Sequence, residues 1–61
     1  MEELKTAFFK VYSNVPLGVR EEVVIVIDDK ALSWNAAYYE VLANSAVSER
    51  ILRELRELAI I

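Results

Sequence analysis

Five β-branched residues in succession, Val23-Val24-Ile25-Val26-Ile27, constrain this chain more than any other stretch. Such side chains lose χ1 freedom in a helix and pack readily on a pleated surface, so the run predicts a strand. Acidic pairs bound it, Glu21-Glu22 before and Asp28-Asp29 after. Apolar and polar residues do not alternate along it, which predicts cover on both faces. In a single domain spanning 1–61, the remaining segments have to supply that cover.

On the N-terminal side, residues 3–12 predict an amphipathic helix. Leu4, Ala7, Phe8, Val11 and Tyr12 share one face at helical spacing. Glu2 and Glu3 sit at the positive end of the helix dipole and Lys10 near the negative end. Phe9 falls off that face, to pack under the next loop or to meet a partner. Ser13-Asn14 interrupt the helix, and Pro16 keeps Val15 out of the α region. Residues 16–21 read as one turn or a structured loop that delivers Arg20 and Glu21 to the strand. Arg20 is expected to pair with the neighbouring Glu21 and Glu22 at little net gain.

Past the strand, Asp28-Asp29-Lys30 is a turn signal, and Ala31-Leu32 predict a short second strand. The segment 33–43 admits two readings. As a helix it has Ser33 as N-cap, Leu32 stapled onto Ala37, and a stripe of Trp34, Ala37, Tyr38, Val41 and Leu42. As a strand it would set Ala37, Tyr39, Val41 and Ala43 on one face and Tyr38 on the other. Three alanines, the cap and the 3.6 period favour the helix. Asn44-Ser45 break it, and a last helix runs over 46–59. Its stripe is Val47, Ile51, Leu55 and Leu58, widened by Leu52 and Ala59. Glu49–Arg53, Arg50–Glu54 and Arg53–Glu57 have ion-pair spacing on its other side. The fold class is therefore α+β: an N-terminal helix, a central short strand or hairpin, and two C-terminal helices packed on it.

Composition narrows the function classes. A net charge of −3 disfavours nucleic acid and anionic membranes as partners. The Arg50, Arg53, Arg56 row is cancelled by interleaved Glu49, Glu54 and Glu57. The chain has no cysteine and no histidine, so thiolate metal sites and the commonest general base are missing. One glycine cannot build a phosphate-cradling loop. The sequence thus predicts no enzyme, no metal and no cofactor. Its longest apolar run is far short of the ~20 residues of a membrane helix, and Met1-Glu2-Glu3 does not begin a signal peptide. A cytoplasmic protein is the expectation. Many Glu and Arg with no Cys, His or Gln are also compatible with a thermophilic source.

Two groups of residues invite a chemical reading. Asp28 and Asp29 are adjacent carboxylates at a strand end, but neighbours on a strand point to opposite faces and turns favour Asp for backbone reasons. A solvated turn is the better account. Trp34, Asn35, Tyr38 and Tyr39 bring aromatic surface and an amide together. Trp34 and Tyr38 lie on the core stripe, whereas Tyr39 and Asn35 share another face. The run Leu32-Ser33-Trp34-Asn35-Ala36-Ala37-Tyr38-Tyr39-Glu40-Val41, with the Ile51-Leu52…Leu55…Leu58 helix and Asn14-Val15-Pro16, Arg20 and Glu22, resembles short archaeal and bacterial reading frames of unknown function. The resemblance touches about two-thirds of the chain and implies no activity.

Two function classes follow. The first is a non-catalytic interaction module, a homodimer or the mate of another protein, with Phe9, Asn35, Tyr39, Ile60 and Ile61 as its candidate surface. A domain this small buries only about 60% of its surface, a bare strand edge invites pairing, and two isoleucines ending the sequence need cover. The second is a small-ligand site around Trp34, Asn35 and Tyr39 with Asp28 and Asp29 nearby, which needs a second subunit to enclose it.

Overall fold

The computed structural model describes residues 2–61. Five elements follow in order: α1 (Glu2–Ser13), β1 (Val23–Ile27), β2 (Lys30–Ser33), α2 (Trp34–Leu42) and α3 (Ser48–Glu57). The layout is the α+β arrangement expected, and residues 33–43 resolve as an N-cap followed by a helix. Ser33 is extended, and its Oγ accepts a hydrogen bond from the Ala36 N–H at 3.0 Å. That bond satisfies a donor the first turn would otherwise leave open.

β1 and β2 form a two-stranded antiparallel hairpin. Asp28 and Asp29 close it with φ of 51° and 65°. Positive φ at both central positions is the type I′ pattern, whose twist matches that of the strands. Asp occupies this left-handed region at modest cost. Ile25 pairs with Leu32 and Val26 with Ala31, but Val23 pairs with Ser33, so Val24 is an extra residue in β1. This bulge decides where the valines go. Strict alternation would place Val23 on the face of Ile25 and Ile27; past the bulge it is instead 59% exposed.

The expectation of cover on both faces is thereby corrected. Ile25, Ile27 and Leu32 are buried, while Val26 on the other face is 60% exposed and Ala31 opposite it is exposed too. The reason is supply: α3 packs on β1 and α2 on β2, and α1 packs chiefly on those two helices. All the described helices cover one face of the hairpin. The core is Phe8, Ile25, Ile27, Leu32, Ala37, Val41, Ile51, Leu52 and Leu55, and it contains no buried polar residue among the described residues.

Helix ends explain the remaining departures. α3 is shorter than 46–59 because Ser45 turns into it, its carbonyl accepting from the Ser48 N–H at 3.1 Å and the Ser48 Oγ at 2.8 Å. At its far end Ala59 adopts φ 60°. The Ile60 N–H then bonds the Leu55 carbonyl at 2.9 Å and the Ala59 N–H bonds the Arg56 carbonyl at 3.0 Å. This is a Schellman closure, and it folds Ile60 and Ile61 back onto the core, where both are half-buried. α2 ends the same way, with Asn44 at φ 52° and the Ser45 N–H bonded to Glu40 O at 3.1 Å.

Three stripe residues are corrected as well: Ala59, expected to widen the stripe of the last helix, is exposed past its end. Leu42 and Leu58 were expected in the core and are 55% and 58% exposed, because each sits at its helix's last turn, where the chain peels away from the hairpin. Of the three spaced ion pairs on α3, Glu49–Arg53 is present at 3.4 Å. Arg50 is drawn to Asp28 in the hairpin turn at 2.6 Å instead, an exposed pair worth little by itself. No helix among the described residues is long and apolar enough to cross a membrane.

Candidate functional site

The six aromatic residues form one connected cluster between α1 and α2. α1 supplies Phe8, Phe9 and Tyr12; α2 supplies Trp34, Tyr38 and Tyr39. Helical spacing puts Phe8 and Tyr12 on one face of α1 and Trp34 and Tyr38 on one face of α2, so facing rows meet. Phe8 is buried against Trp34 and Tyr12, at centroid distances of 6.1 Å to each. Tyr12 stacks on Tyr38 at 4.4 Å with an interplanar angle of 12°. Phe9, unplaced by the sequence pattern, meets the Tyr38 ring edge-on at 5.8 Å. Tyr39 meets the same ring from its other neighbour position at 5.7 Å and is itself 68% exposed.

The loop after α1 returns Arg20 to this cluster. Its guanidinium lies 4.4 Å from the Tyr12 ring centroid, and its Nη2 donates to the Tyr12 carbonyl at 3.2 Å and the Ser13 carbonyl at 3.5 Å. The cation thus sits at the negative end of the α1 dipole and over an aromatic face, both favourable places for it. The expected local pair with Glu21 or Glu22 is corrected: among the described residues no carboxylate lies within 4.0 Å of Arg20. Glu21 is occupied elsewhere, accepting from Asn35 Nδ2 at 2.6 Å. Arg20 Nε is buried with no partner.

Two concavities stand out among the described residues. One, of about 350 Å³, is lined by Phe9, Tyr12, Ser13, Arg20, Tyr38 and Leu42, between the C-terminal half of α1 and the outer side of α2. The other, of about 290 Å³, lies at the hairpin turn among Ile27, Asp28, Lys30, Leu32, Glu40, Ser45, Ala46 and Val47. It mixes charges of both signs, and Asp28 there is already held by Arg50. The buried Ser45 Oγ has no partner.

The residues expected to form a contact surface part company. Phe9 and Tyr39 come together on Tyr38, beside the first concavity. Ile60 and Ile61 pack on the core at the end of α3. Asn35 is a structural hinge-pin: its Oδ1 accepts from the Tyr12 hydroxyl at 2.6 Å, its Nδ2 holds Glu21, and its backbone N–H donates to Arg20 O at 3.0 Å. With both ends of its amide engaged, it has little left for a ligand. Trp34, Asn35 and Tyr39 line neither concavity, and Asp28 lies at the other one. Sequence reasoning missed Arg20 and Leu42 as groove residues. Arg20 carried one signal, a lone cation in a loop next to aromatic helices, but only the folded loop shows which ring it covers.

Comparison with protein-family models, with curated proteins and with solved structures finds no match.

Proposed function

We propose that this chain is a non-catalytic interaction module that associates with a second copy of itself through the uncovered face and edge of its hairpin. The observation that carries the reading is the exposure of Val23 and Val26, two residues of the most apolar strand, on the face no helix covers. Hiding the exposed part of each valine contributes about 1 kcal/mol, and a two-fold axis doubles the set. The edges add to this. Val26 and Ala31 face each other across the hairpin next to the closing pair Ile27–Lys30. In antiparallel alternation the backbone groups of such a pair point outward, free to accept another strand. Pairing β1 with β1 about a two-fold would make four strands from two hairpins, each marginal by itself. The lack of His and Cys supports the non-catalytic half of the reading.

Sedimentation equilibrium from micromolar to millimolar concentration tests it. The expected result is a species of twice the 7.0 kDa chain mass. Val26→Lys, an exposed change on an edge, should return a folded monomer with its helical circular dichroism intact. A wild type that stays at 7.0 kDa throughout, or a Val26→Lys variant that associates as before, would defeat the proposal.

A further inference from the structure

We infer that the groove between α1 and α2 is a docking site for a protein segment carrying a carboxylate next to a large apolar side chain. The inference goes beyond self-association and uses different residues. Phe9, Tyr38 and Leu42 give it an apolar lining, and Tyr12, Ser13 and Arg20 line it with them. The apolar part is incompletely hidden: Leu42 is more than half exposed, and so is Tyr39, which abuts Tyr38 at the rim. Aromatic rings in contact form a rigid platform that loses little entropy when a partner lands on it.

Charge selects the occupant. Arg20 is mostly covered yet faces no carboxylate within the described residues, and only its Nη2 is hydrogen-bonded. A guanidinium removed from bulk water and matched only by helix-end carbonyls and a ring face gains from an arriving anion. That anion meets a cation here, although the chain as a whole carries −3. The surrounding net charge therefore disfavours acidic partners everywhere except at such a point, which adds selectivity to the contact. The shape settles the size class. About 350 Å³ open to solvent along its length holds one or two side chains. That volume falls within the range of ligand pockets, but so open a groove leaves much of a free small molecule uncovered. A peptide backbone lying across the rim supplies the remaining contact.

The test uses the full chain labelled with ¹⁵N and three acetylated, amidated tetrapeptides as probes: Asp-Leu-Phe-Asp, its Asn-Leu-Phe-Asn counterpart, and Asp-Gly-Gly-Asp. With Asp-Leu-Phe-Asp, saturable amide shifts should appear at Phe9, Tyr12, Arg20, Tyr38 and Leu42 and leave β1 unmoved. Replacing Asp by Asn should weaken binding about tenfold, the worth of one charge-assisted hydrogen bond. The diglycine peptide should not saturate. Arg20→Gln should erase the difference between Asp and Asn peptides; because Arg20 also caps α1, Leu42→Ser provides a variant at an exposed site that should weaken both Leu-Phe peptides with the fold intact. The same titration on Val26→Lys should be unchanged, which separates this site from self-association. Shifts that never saturate, shifts centred on β1, or equal affinity for the Asp and Asn peptides would overturn the inference.

Discussion

Ser33 shows how one side chain can choose between two backbones. The segment after it was readable as helix or strand, and the Ser33 Oγ bond to the Ala36 N–H fits only the helix. Ser33→Ala should lower stability by about 0.5–2 kcal/mol, measured by urea denaturation. A change within error of zero would mean that packing of α2 alone holds its first turn. Other single residues act through partners invisible in the sequence. Asn35 joins Tyr12 of α1 to Glu21 of the loop, and Lys5 reaches Asn44 Oδ1 at 2.5 Å, tying α1 to the end of α2. Each of these contacts spans at least 14 residues of chain, beyond any local pattern.

At the scale of elements, the hairpin carries its own strain. Asp28 and Asp29 both hold positive φ, where an L side chain crowds its backbone and glycine does not. Asp28 also pairs with Arg50, so Asp29 is the position to change. Asp29→Gly should stabilise the domain by about 1 kcal/mol, seen as a higher denaturation midpoint with an unchanged slope. A lower midpoint would show that the Asp29 side chain contributes more than its backbone conformation costs. Periodicity read the helices well in their middles and poorly at their ends. Ile51, Leu52 and Leu55 are buried as the stripe required, whereas Leu58 at the end of the same stripe is not. A helical pattern specifies a face, but whether a residue on that face meets a neighbour depends on where the neighbour stops.

For the whole molecule, the decisive quantity is how much cover three short helices can give one hairpin. They bury a single face, with Ile25 at its centre alongside Ile27 and Leu32. Ile25→Asp places an unpaired carboxylate in a core with no buried polar partner among the described residues, at a cost of several kcal/mol. Since a domain this size has only a few kcal/mol of net stability, the variant should be unfolded by circular dichroism at room temperature. A cooperative thermal transition close to wild type would remove Ile25 from the centre of the fold.

What the sequence determined by itself was the set of elements and most of the core. A β-branched run, three amphipathic stripes and an N-cap are local chemistry, and local chemistry is written in nearby residues. What only the tertiary structure decided was sidedness and company. The extra residue at Val24 turned Val23 outward, and whether a strand bulges depends on its partner's register. The uncovered face of Val23 and Val26 followed from all helices lying on the other side. Arg20 left its acidic neighbours for the Tyr12 ring and the end of α1. That choice reflects a balance of desolvation, dipole and ring face, which exists only once the helices have met.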